Sequence, residues 1–183
     1  MSRRLHRVRN LWVDIRAVAA TEFAIVLPFM LLLWLGGFEL GNGLAISVKV
    51  SETAHEVADL VSRNQCVTAS TLNTMLNASS ATIAPYAAGN ASITVSEVST
   101  DANGNATVTW SKALNGTPRA VNQPMTLPAA LGTPSPPNVS LILGEVTYQY
   151  TPNLGFTISG TVPISDSYYL FPRISSSVQN PCS

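Results

Sequence analysis

From Ala17 to Leu40 the chain reads AVAATEFAIVLPFMLLLWLGGFEL, an almost wholly apolar run with a carboxylate near each end, Glu22 and Glu39. The hydrocarbon core of a bilayer takes about 20 apolar residues of helix. The uncharged stretch between the two glutamates is a little shorter than that. Ala17–Thr21 before it and the neutral residues after Leu40 supply the missing length. Pro28 lies inside the run, where it bends or loosens a helix, and membrane spans tolerate this better than soluble helices do. Gly36, Gly37, Gly41 and Gly43 follow. Such spacing suits close helix–helix approach, and it equally suits a flexible exit from the bilayer. The pattern predicts a transmembrane helix over 18–44.

Past Ala45 the pattern changes without a break. Val50, Ala54, Val57 and Val61 recur at helical spacing, with Leu60 beside them, while Lys49, Glu52, Glu56, Asp59 and Arg63 fill the other faces. This is an amphipathic continuation able to lay one stripe on a globular body. One helix is therefore expected from Ala17 to about Ser62.

The formal net charge of zero hides an asymmetry. Arg3, Arg4, Arg7, Arg9 and Arg16 face only Asp14 at the amino-terminal tip, whereas the remainder holds five basic residues against nine acidic ones. Basic residues beside a span stay on the cytoplasmic side. Residues 1–17 thus read as a basic cytoplasmic leader, and 45–183 as an extracytoplasmic domain. No basic aromatic platform follows the tip, so nucleic acid is not an expected partner. Only 11% of residues are charged, against about 25% in ordinary soluble domains, and Ser, Thr, Asn and Ala fill the polar share.

Cys66 and Cys182 both fall on the outer side, where oxidation permits a disulfide. The alternative is two unpaired thiols. Residues 69–88 suggest a short helix carrying Leu72, Met75, Leu76 and Ile83, with Pro85 at or past its end. ASITVSEVS (Ile93, Val95, Val98) and ATVTWSKAL (Val108 and Trp110 on one face) read as strands. Between them lies DANGN, whose Asn103-Gly104 suits a tight hairpin. The Pro- and Asn-rich segment 115–138 reads as a long surface loop. VSLILGEVTYQYTP is a further strand with a bend expected at Gly144, and LGFTISGTVPISDSYYLFPR holds one or two more. The fold class is α+β: a long helix, transmembrane then amphipathic, packed on a small antiparallel sheet.

No catalytic constellation stands out. His6 lies in the leader, His55 sits between Glu52 and Glu56 as a solvated helix residue, and no serine lies in a G-x-S-x-G elbow. Phosphate and dinucleotide fingerprints are absent. Two distant Cys and two distant His do not make a metal site. The reading is a non-enzyme without metal or cofactor.

The run AVAATEFAIVLPFMLLLWLGGFELG resembles the TadE-like pseudopilins of bacterial tight-adherence (Flp-type) pilus systems. The likeness rests on a basic leader, small residues, Glu22-Phe23, the early Pro28, and Glu39 ahead of Gly41. YQYTP (Tyr148–Pro152), YYLFPR (Tyr168–Arg173) and Cys182 resemble the family's carboxy-terminal half, while the middle shows little. The resemblance implies a pseudopilin-like fold. It implies cleavage by a prepilin peptidase between Ala17, where the family usually has Gly, and Val18. The helix is then retained in the inner membrane, unlike the apolar region of a secretory signal.

The resemblance also implies assembly rather than chemistry. Other pilin or pseudopilin subunits and the pilus assembly platform would be the partners, and the domain would lie in the periplasm or outside the cell. Glu22 would pair with the amino group freed by the cut, since a carboxylate at the top of a span is costly unless paired. The plainer role for Glu22 is an interfacial residue reaching toward water or Arg16. Asn-x-Ser/Thr triplets at Asn77, Asn90, Asn105, Asn115 and Asn138 keep a second reading open, a single-pass anchored binding module without a pilus role. A third is a secreted protein cut after Gly43–Ala45, starting at Ile46.

Overall fold

Helix α1 runs unbroken from Ile15 to Ser62 with Pro28 inside it. Its end is set by side chains that satisfy the carbonyls a helix terminus leaves open. The Asn64 side-chain amide donates to the Leu60 carbonyl (2.7 Å) and the Ser62 hydroxyl to the Asp59 carbonyl (2.9 Å). The structure is a computed structural model that describes residues 15–132, 135–152 and 160–182, with side chains from residue 18 onward. The leader expected at 1–17 thus lies outside the described residues but for the backbone of 15–17. The chain divides into two units, Met1–Asn42 with Pro152–Ser159, and Gly43–Thr151 with Gly160–Ser183.

The second unit is the α+β body. Helix α2 (Ala69–Ser80) is capped by Thr68, whose hydroxyl accepts the Thr71 N–H. The strands are β1 (Ala91–Thr100), β2 (Ala106–Leu114), β3 (Pro124–Met125), β4 (Ser140–Tyr150) and β5 (Val162–Leu170). They form one antiparallel sheet in the order β3-β2-β1-β4-β5. Ile46, Val50, Ala54, Val57, Ala58 and Val61 of α1 are buried in one cluster with Ile93, Val95, Trp110, Ile142, Val146 and Tyr148 of the sheet. The helical stripe legible in the sequence is thus the face that packs. A second cluster holds Val98, Ala106, Leu127, Leu141 and Leu143.

Three expectations are corrected in detail. Val108 and Trp110 do not share a face. The β1–β2 register steps from Glu97↔Trp110 to Val98↔Val108, so Thr109 is an extra residue in β2. That bulge inverts the alternation. Trp110 joins the first cluster, while Val108 lies opposite Val98 of the second.

Strand β4 is not interrupted at Gly144, which stays paired with Val95 on one side and Tyr168 on the other. The residue is small because the helix passes over it. A Cβ there would strike the Ala54 carbonyl oxygen and come within 2.8 Å of Val57 Cγ1.

The DANGN turn is wider than a two-residue hairpin. Asp101 Oδ1 accepts the N–H groups of Asn103 and Asn105, and Gly104 takes the left-handed backbone (φ 81°). Finally, 115–138 is not all loop. Pro124–Met125 pairs with Ala106 and Thr107 and caps the outer edge of β2. The segment is also pinned by Arg119, which grips Glu145 through Nε (2.7 Å) and Nη2 (2.5 Å). Hydrogen bonding to Glu145 holds the Arg119 guanidinium above its ordinary pKa. Of the strands expected beyond Leu154, β5 is present, and 153–159 lies outside the described residues.

Candidate functional site: an uncovered apolar helix

The apolar half of α1 buries almost nothing. Phe23, Ile25, Phe29, Leu33 and Trp34 are all more than half exposed, and together with the exposed Leu27, Leu31 and Leu32 they point to every side of a helix. An 18-residue stretch reaches a mean hydropathy of 2.1 with none of it buried. A soluble core helix of that hydropathy would be covered by protein, and a bare one needs another apolar medium. The exposed apolar series continues through Leu40, Leu44 and Val48.

The carboxylates bracket this segment. At about 1.5 Å per residue, Phe23–Phe38 covers about 24 Å, less than the roughly 30 Å hydrocarbon core. A span that includes both ends therefore brings Glu22 and Glu39 to the edges of the apolar layer, not to its middle. Glu22 is exposed, whereas Glu39 is only 6% exposed. Val18 lies one turn before Glu22, at the i, i+4 spacing that puts two side chains on one helix face. Near the same end, the Thr21 hydroxyl donates to the Val18 carbonyl (2.7 Å). Pro28 continues the helix. The Ala17–Val18 peptide bond is part of α1. At Gly36, Gly37 and Gly41, no atom of the described residues beyond the local helix backbone lies within 4 Å of where a Cβ would stand.

Cys66 and Cys182 are joined by a disulfide, with Cα atoms 5.2 Å apart, and they belong to the body. Nearby, the tail is held by backbone bonds Val67 N–H to Gln179 O (2.8 Å) and Gln179 N–H to Gln65 O (3.0 Å). Sequence reasoning missed a second holder, Glu97. It is 2% exposed, and its Oε1 accepts the Val178 N–H (2.8 Å) and the Ser140 hydroxyl (2.7 Å). Trp110 Nε1 donates to the Val178 carbonyl (2.7 Å). The signal was available: Glu97 continues the odd-numbered alternation of Ile93 and Val95, which assigns a carboxylate to the core face of a central strand. His55 stacks edge-on against Tyr168, with ring centroids 4.6 Å apart. Among the described residues no group of three or more His, Cys, Asp or Glu is placed to hold a metal ion.

One bare apolar helix at the amino-terminal side of an α+β body suggests a single-pass, membrane-anchored protein. Residues 17–59 match the family described as TadE-like protein, so the resemblance carried by Glu22-Phe23, Pro28 and Glu39 is borne out over that stretch. The match suggests a protein associated with tight-adherence pili that carries an apolar amino-terminal helix. No curated protein and no solved structure matches the chain.

Proposed function

We propose that the chain is a minor pilin or pseudopilin that takes part in assembling a tight-adherence, type IV-like pilus. Its helix spans the inner membrane with the amino terminus in the cytoplasm and the body outside. The observation that carries this reading is the coincidence of the family match at 17–59 with a helix bare over its apolar half and packed on the sheet over its amphipathic half. Such a helix offers lipid, or like helices, the whole surface of Phe23–Leu33.

A prepilin peptidase cuts between Ala17 and Val18, and the new amino group then lies one helical turn from Glu22. Pairing with that group, in the same or a neighbouring subunit, neutralises two charges at the edge of the apolar layer. A subunit out of register leaves one of them unpaired, at a cost of several kcal/mol. The carboxylate therefore sets the axial position at which helices of neighbouring subunits and the assembly platform accept one another.

Two measurements test this. Amino-terminal sequencing of the membrane-extracted protein should begin at Val18. A start at the initiator supports the anchored binding module, and a start at Ile46 the secreted protein. Glu22→Ala should leave the protein in the membrane fraction and reduce surface pili severalfold. Unchanged pilus output removes the register role.

A further inference from the structure

Glu97 is a buried carboxylate whose two hydrogen-bond donors, Ser140 and Val178 N–H, are both neutral. Among the described residues no Lys, Arg or His side chain pairs with it; the ion pairs of the body engage Glu52, Asp59 and Glu145 instead. An ionised carboxylate out of water without a cation is costly, and neutral donors offset only part of that cost.

Glu97 also lines a cleft of about 390 Å³ between the sheet and the tail, together with Ser99, Thr109, Gln179 and Asn180. None of the cleft's lining residues is basic. Thr109 is the bulge residue, which the strand register skips, and it is exposed on the cleft with its hydroxyl 2.8 Å from that of Ser99. Bulges re-aim side chains in this way beside sites.

We propose that this cleft binds a primary ammonium group on an alkyl stem, the chemistry of a lysine side chain on a partner protein, with Glu97 as its counter-ion. Oε1 already accepts two bonds, and among the described residues no donor bonds to Oε2. A guanidinium fork needs both oxygens of a carboxylate, whereas an ammonium needs one, with its other protons directed at neutral acceptors. The Ser99 and Thr109 hydroxyls and the Gln179 and Asn180 side-chain carbonyls are such acceptors.

The test is an NMR titration of the full chain in detergent micelles, following the amide signals of Ser99, Thr109 and Gln179 and the indole N–H of Trp110. Three probes are compared: the N-methylamides of Nα-acetyl-lysine, Nα-acetyl-norleucine and Nα-acetyl-arginine. The lysine probe should give saturable shifts, the norleucine probe none, and the arginine probe weaker ones. Glu97→Gln keeps an oxygen for Ser140 and Val178 but loses the charge, and it should weaken the lysine probe about tenfold or more, the loss of one charged hydrogen bond. Thr109→Lys, at an exposed position that need not disturb the fold, places an ammonium in the cleft and should abolish the shifts. Equal shifts from lysine and norleucine, no saturable shift from lysine, or full binding by either variant overturns the proposal.

Discussion

At the scale of single residues, the positions that matter most are those where the backbone leaves no room or a side chain replaces backbone partners. Gly144 is the first kind. Its missing Cβ lets α1 approach β4, and Val57 and Ala58 close over the gap. Gly144→Ala forces helix and sheet apart and should destabilise the body by about 1–3 kcal/mol, the usual range for overpacking. Thermal unfolding followed by circular dichroism checks this. A midpoint equal to wild type means the helix gives way without cost. Asp101 is the second kind. Hydrogen bonds from the Asn105 side chain and backbone, then from Asn103 and Gly104, hold its carboxyl below the usual carboxylate range.

The sign of the resulting pH dependence follows from proton uptake. Near pH 4 the unfolded chain binds more protons at this site than the folded one. The stabilisation is therefore present above about pH 4 and is lost as pH falls through the lower folded value. The amide shifts of Asn103 and Asn105 should titrate with a midpoint below about 3.9, and Asp101→Asn should remove that titration. A midpoint at or above the peptide value contradicts the bonding of the turn.

At the scale of elements, α1 is two helices in one. Among the described residues its first half is almost wholly exposed, and its second half has a stripe buried to the last methyl. Substitutions should separate the two. Leu32→Arg puts a charge at the middle of the apolar run, at a cost of about 3 kcal/mol for insertion. The fraction of protein resistant to carbonate extraction should fall while the body, once solubilised, melts as before. Val57→Asp should do the reverse, leaving extraction unchanged and lowering the melting point, since it buries an unpaired carboxylate. If both variants change both readouts, the division of labour within the helix is wrong.

The same contrast explains how much was legible in the sequence. Helical periodicity over Val50–Val61 and the unbroken apolar run are statements about local spacing, and they survive whatever the rest of the chain does. Strand positions Ile93 and Val95 were equally local. The bulge at Thr109 is not local, because it is defined only by what β1 places opposite. Val108 and Trp110 therefore looked like one face and are two. The close approach of the helix over Gly144 is likewise not local, because the sequence does not say that a helix crosses there. In the candidate site, Glu22, Phe23, Pro28 and Glu39 could be found because an apolar run makes any charge conspicuous. Glu97 was marked only by its odd-numbered place after Ile93 and Val95, a weaker signal than a charge in an apolar run, because acidic residues ordinarily face water.

At the scale of the whole chain, the body is closed by its own end. The bridge from Cys66 to Cys182 joins residues 116 apart in sequence. In the chain-entropy account a loop of that size contributes about 4–5 kcal/mol by restricting the unfolded chain. It also acts with other ties on the same segment. The tail lays Val178 into the main core at 0% exposure, and Glu97 and Trp110 hold the backbone on either side of it. Arg173 adds a backbone bond to the Ser62 carbonyl (2.8 Å) and an ion pair to Asp59. Removing the bridge thus leaves a tail still held by several bonds, so the folded structure should survive with reduced stability. Cys182→Ser should lower unfolding stability by about 2–5 kcal/mol, the range for native bridges. The indole N–H signal of Trp110 should stay at its hydrogen-bonded position under native conditions. In wild type, reduction should slow migration on a denaturing gel by opening the loop. If Cys182→Ser moves the Trp110 signal to that of a free indole, the bridge is what seats the tail, and Glu97 and Trp110 only follow it. If the signal holds while stability falls, the side chains of β1 and β2 seat the tail and the sulfurs lock it.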